Sequence, residues 1–127
     1  MAEIHKKILV VEDEPALRDT IKNRFVGEGF TVLAANDGVE GLEMALAEHP
    51  DLILLDIIMP KMDGITMLKK LRQDSWGKGA SIFMLTNLSD EKKVSDSMEE
   101  GVFDYLIKAD WMLDELIFLV KKKLGVS

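Results

Sequence analysis

The chain has 127 residues, a length that fits one domain with a core of useful size. Its net charge of −7, from 16 basic and 23 acidic residues, argues against a general nucleic-acid or membrane-surface binder. The absence of cysteine excludes a disulfide framework and thiolate chemistry. No run approaches the ~18 apolar residues of a membrane span, and the start lacks a signal-peptide pattern, so a cytoplasmic location is expected.

Apolar strand-like runs alternate with helix-periodic segments, which predicts an α/β domain with a parallel sheet. The first strand is Ile8 to Val11. Pro15 suits the first turn of a helix, where its missing N–H costs nothing, and Leu17, Ile21 and Phe25 give that helix one apolar face. Gly27 and Gly29 stop it, and Phe30 to Ala34 reads as the second strand. Asn36-Asp37-Gly38 is a turn or cap, and Val39, Leu42 and Leu46 line a second helix. Pro50-Asp51 opens the third and most apolar strand, which ends at Asp56. After Asp63-Gly64 a third helix carries Ile65, Leu68 and Leu71.

The loop Ser75 to Gly79 precedes strand four, Ile82 to Leu85. Ser89 caps a weakly amphipathic fourth helix with Val94 and Met98 as core contacts, ended by Gly101. Tyr105 to Ile107 is strand five, and Asp110 caps a last helix with Leu113, Ile117, Val120 and Leu124 inward. Lys121, Lys122 and Lys123 sit near its C-terminus, where positive charge is favoured. Five strands and five helices in alternation, joined by right-handed crossovers, place helices on both faces. The whole of 1–127 reads as one domain with no effector domain beside it.

In such sheets ligands bind outside the carboxyl ends of the strands. Strand one delivers Glu12, Asp13 and Glu14 there, strand three Asp56, strand four Thr86 and Asn87, and strand five Lys108. Two unit charges ~4 Å apart repel by roughly 4 kcal/mol at an effective dielectric of ~20, so clustered carboxylates require a proton or a cation. Oxygen-only ligands favour Mg²⁺, Mn²⁺ or Ca²⁺ over zinc. Any one of these residues alone fits a helix cap or a solvated surface group. All four strand ends together make a stronger case for chemistry.

Those residues resemble the receiver domain of two-component response regulators. The resemblance rests on Glu12-Asp13 after Ile8-Leu9-Val10-Val11, the stretch from Asp56 through Met59-Pro60 to Asp63-Gly64, then Thr86, and Asp104-Tyr105-Leu106-Ile107-Lys108. It covers about Lys7 to Leu124. It implies a flavodoxin-like doubly wound five-stranded parallel sheet, order 2-1-3-4-5, with five helices. It implies that Asp56 accepts a phosphoryl group from a histidine kinase or phosphotransfer protein. Asp13 then binds Mg²⁺ (or Mn²⁺) directly, Glu12 mostly through water, and Asp56 and the backbone carbonyl of Ile58 complete the metal ligands. Lys108 and the Thr86 hydroxyl meet phosphoryl oxygens, and the Tyr105 ring follows Thr86. The switched face, formed by the fourth helix, fifth strand and last helix, meets a downstream protein. The implied state is a monomer or a phosphorylation-promoted dimer, with no direct nucleic-acid or membrane contact.

Three departures qualify the resemblance. Ala109 follows Lys108 where the family has proline in a cis peptide, and a non-proline cis bond costs ~2.5–4 kcal/mol. Asn87 stands where alanine is frequent. Ile58 and Leu88 are apolar at positions that are often polar, and are expected to hinder an attacking water and prolong the phosphoryl state. An aspartyl phosphatase requires a second acid two residues after the nucleophile, where this chain has Ile58. The alternative is a pseudo-receiver, a protein-interaction module not controlled by phosphorylation, for which Ala109 is the supporting feature. Trp76 and Trp111 are expected to pack locally, Met59 and Met62 to flank the site, and His5 and His49 to lie on the surface.

Overall fold

The structure, a computed structural model, describes residues 6–56, 61–86, 104–107 and 113–126; for 85–86, 104–107 and 115 it describes the backbone. Five parallel strands are hydrogen-bonded in the order β2-β1-β3-β4-β5. They are β1 (Lys7–Val11), β2 (Thr31–Ala35), β3 (Leu52–Asp56), β4 (Ile82–Thr86) and β5 (Asp104–Ile107). Four α-helices are described: α1 (Pro15–Gly27), α2 (Gly38–Glu48), α3 (Gly64–Arg72) and α4 (Leu113–Leu124), with a 3₁₀ turn at Gly77–Gly79. The helix expected after Ser89 falls outside the described residues.

Strand alternation sorts the apolar residues into two cores, because successive side chains leave opposite faces of a strand. Leu9, Val11, Ile53, Leu55, Ile82 and Met84 face α2 and α3. Ile8, Val10, Leu52, Leu54 and Phe83 face α1 and α4. All of β3 is buried, as expected of a central parallel strand covered on both sides.

Several boundaries differ from the sequence reading. Phe30 lies outside β2; it packs edge-on against Phe25, ring centroids 5.6 Å apart, closing the turn that follows α1. Gly27 is the last residue of α1 rather than its stop, and Gly29 takes the turn with φ 99°. Val39 and Leu46 do not line the inner face of α2 but are exposed. Gly41 and Ala45 are buried there instead. A Cβ on Gly41 would stand 2.9 Å from both Val11 methyl carbons, so α2 lies too close to β1 for a larger side chain. His49 is exposed as expected, yet it ends α2 in a left-handed conformation with its ring stacked on Trp76, centroids 4.4 Å apart and planes 9° apart. Trp76 packs against the core beneath it, as local packing requires. Trp111, Met59 and His5 lie outside the described residues.

Candidate functional site

Strand register builds the site. Val11 is opposite Leu55, so the next residue on each strand, Glu12 and Asp56, leave the sheet side by side. Glu12 extends the pairing of β1 with β2 by donating its N–H to the Ala35 carbonyl at 3.2 Å. Asp56 is opposite Leu85, which puts Thr86 one step beyond it, and Thr86 is opposite Ile107. The carboxyl ends of β1, β3, β4 and β5 therefore share one edge of the sheet.

At that edge Glu12, Asp13 and Asp56 each offer a carboxylate oxygen, and the three lie within 4.8 Å of one another. Glu12 and Asp56 are buried, whereas Asp13 is exposed. Charges at that spacing repel by about 3–4 kcal/mol per pair at an effective dielectric of ~20, before screening of the exposed member. A divalent cation relieves this repulsion. The donor set is all oxygen and open to solvent on the Asp13 side. That suits Mg²⁺, which takes one or two carboxylates and keeps several waters. The acidic cluster therefore fits a magnesium ion.

Among the remaining expected site residues, the backbones of Thr86 and Tyr105 are described: Thr86 ends β4, and Tyr105 lies within β5, opposite Met84. Ile58, Asn87, Leu88, Lys108 and Ala109 lie outside the described residues.

Arg18 and the Asp37–Lys61 pair make contacts that the sequence reading did not foresee. Arg18, on the first turns of α1, donates from Nη1 to the Glu12 carbonyl at 3.0 Å and so fixes the backbone that carries Glu12 and Asp13. Asp37 caps α2 by accepting the Glu40 N–H at 2.9 Å. Its second oxygen, Oδ2, meets Lys61 Nζ at 3.5 Å. The Glu40 N–H holds the Asp37 carboxyl below its ordinary value of 3.8, with the Lys61 charge acting in the same direction and burial opposing both. Asp63, expected near the start of the third helix, caps α3 by accepting the Thr66 N–H at 2.8 Å. The turn or cap expected at Asn36-Asp37-Gly38 is thus a cap, with Asp37 as the N-cap of α2. The partners of Arg18 and Lys61 are six and 24 residues away along the chain, with no local pattern to signal them.

Comparison with known proteins gives the class. The response regulator receiver domain pattern matches residues 8–120, and the chain belongs to that family. It is 40% identical over 103 residues to a probable transcriptional regulator, ycf27, of the alga Porphyridium aerugineum, covering 81% of this chain and 42% of that protein. It superposes on a CheY-like receiver domain protein of Methanospirillum hungatei with a TM-score of 0.88, 30% identity, and 96% and 95% of the two chains covered. It also superposes on the receiver domain of a Pseudomonas aeruginosa sensor histidine kinase, TM-score 0.86 and 26% identity, covering 96% and 99%. That protein holds a magnesium ion in its active-site cleft. The fold is thus the flavodoxin-like receiver fold, and phosphorylation and magnesium binding are features of the family. The chain spans less than half the length of the first curated relatives it matches. Among the described residues no helix is long and apolar enough to cross a membrane.

Proposed function

We propose that this chain is a phospho-accepting signalling module in which Asp56 takes a phosphoryl group from a phosphohistidine of a histidine kinase or phosphotransfer protein. The observation that supports this most directly is the convergence of the Glu12, Asp13 and Asp56 carboxylates within 4.8 Å, in a chain of the receiver family.

In the proposed reaction an Asp56 carboxylate oxygen attacks phosphorus as the P–N bond to the donor imidazole breaks. The imidazole keeps the bonding pair and a proton, and Asp56 becomes an acyl phosphate. Catalysis of such a transfer is mainly positioning and charge neutralisation. Mg²⁺, when bound, supplies Lewis-acid neutralisation of the phosphoryl oxygens. Glu12, Asp13, Asp56 and the Ile58 carbonyl would hold it, with Mn²⁺ as a substitute. Lys108 neutralises one phosphoryl oxygen and the Thr86 hydroxyl bonds another. Ile58 and Leu88 keep water from the acyl phosphate.

The product adds a dianionic group at the end of β3. Thr86 moves toward it, Tyr105 follows, and the population shifts at the face made by the segment after β4, by β5 and by α4. A helix between β4 and β5 completes the five-helix architecture in this reading. The relatives' names make them transcriptional regulators. The charge of −7 suits this segment to accept the signal and to act through protein contacts, not to contact DNA itself.

Intact mass after incubation with acetyl phosphate and Mg²⁺ tests the proposal. One phosphate is expected on the wild type and none on Asp56→Asn. No adduct from acetyl phosphate or from a phosphorylated kinase would instead mark a pseudo-receiver.

A further inference from the structure

We propose that Arg18 is a positioning residue for the cation site, which by holding the Glu12 carbonyl aims the Glu12 and Asp13 carboxylates at the metal, an inference that rests on the reading of the acidic cluster given above. β1 ends at Val11 and α1 begins at Pro15, so Glu12 and Asp13 lie on the short link between the two elements. α2 and α3 are fastened at their starts by side-chain caps, Asp37 on the Glu40 N–H and Asp63 on the Thr66 N–H. The Glu14 side chain makes no such cap for α1. Arg18 fastens the link instead, and does so twice. Its backbone N–H donates to the Glu14 carbonyl at 2.9 Å, in the first turn of α1. Its Nη1 reaches back past that turn and donates to the Glu12 carbonyl at 3.0 Å.

The second bond acts directly on the acidic cluster. The Glu12 carbonyl and the Asp13 N–H belong to one planar peptide unit, so holding that oxygen fixes the plane in which both Cα atoms lie. The Glu12 N–H is bound on the other side to the Ala35 carbonyl of β2 at 3.2 Å. Glu12 is thus held by the sheet through one peptide and by α1 through the next. Asp13 is exposed, outside the packed core that holds Glu12, and depends more on the bond from Arg18. A guanidinium donor makes that bond stronger than one between neutral groups. The charge of Arg18 and its hydrogen bond work in opposite directions on the metal. A cation beside the cluster repels a divalent ion, so loss of the charge alone would tighten metal binding. Loss of the hold on the Glu12 carbonyl would weaken it. The sign of the change therefore tells the two roles apart.

The test is Mn²⁺ binding to the full chain, read from the electron paramagnetic resonance signal of free Mn²⁺. Arg18→Met keeps the aliphatic stem and removes both the donor and the charge. It is expected to weaken Mn²⁺ binding about three- to tenfold. Loss of a partner bonded to the ligand group itself costs about tenfold or more, and Arg18 holds only the backbone behind the ligands. Arg18→Lys keeps a charged donor and is expected to recover part of the affinity. The rise in urea midpoint that Mn²⁺ confers, at equal concentration, is expected to be smaller in Arg18→Met than in the wild type. A merely structural role would lower the midpoint with and without Mn²⁺ and leave that rise unchanged. Mn²⁺ affinity unchanged or tighter in Arg18→Met, or a lysine variant that binds no better than the methionine one, would overturn the role of Arg18 alone. No Mn²⁺ uptake by the wild type would overturn the reading of the acidic cluster, and the role of Arg18 with it.

Discussion

Asp37 carries a pH signature. Its carboxyl is held below the ordinary 3.8, first by the Glu40 N–H and then by Lys61. A carboxyl with a depressed native pKa stabilises the fold above its unfolded pKa, and that contribution fades as pH falls through the native one. Wild type is therefore expected to be more stable than Asp37→Asn at neutral pH. The difference should narrow in acid, as pH falls below the ordinary carboxylate value of 3.8 and through the lowered native one. Urea titrations at both pH values check this; a gap that persists in acid would mean that shape, not charge, accounts for it. Arg18 acts on the same scale. Its hydrogen bond to the Glu12 carbonyl holds the start of the acidic loop against α1.

At the scale of elements, the approach of α2 to β1 is set by glycine. Gly41→Leu must push α2 away from Val11, whose methyl carbons already lie 2.9 Å from a Cβ at that position. Overpacking of this kind costs roughly 1–3 kcal/mol, measurable as a lower urea midpoint with an unchanged slope. Loss of less than about 0.5 kcal/mol would show that α2 slides freely.

The same contact explains one failure of the sequence reading. Helical periodicity in Val39, Leu42 and Leu46 gave the apolar stripe, but a helix this close to its sheet buries its small residues and turns Val39 and Leu46 outward. Strands were more legible. Ile8 to Val11 and Leu52 to Leu55 are continuous apolar runs because the sheet is covered on both faces. Their carboxylate ends could be read directly, since the chain must leave the core at those points. Phe30 misled because its apolar side chain closes a turn against Phe25 instead of entering β2. The His49–Trp76 stack and the Asp37–Lys61 pair join segments 27 and 24 residues apart, a spacing at which no sequence period operates.

Across the whole molecule, the two cores and the acidic edge follow from one arrangement. Parallel strands bury both faces against helices and send every carboxyl end to the same side. The helices over one face are also tied by charge at the surface: Arg24 to Asp114 and Lys121 to Glu28 link α1 to α4. The exposed Arg24–Asp114 pair contributes about 0–1 kcal/mol, and Lys121–Glu28 is half-buried, so the sheet and its apolar layers hold the site and the ion pairs refine it. Three carboxylates within 4.8 Å are a cost that the fold carries at one edge, and in this account phosphoryl acceptance is what that cost supports.

Chemical trapping of the acyl phosphate tests that claim most directly. Borohydride reduces an aspartyl phosphate to homoserine, and peptide mass spectrometry then locates the altered residue. After acetyl phosphate and Mg²⁺, homoserine is expected at position 56 and is expected to disappear when Mg²⁺ is chelated. Homoserine at another acidic position, or none under any phosphoryl donor, would contradict the account.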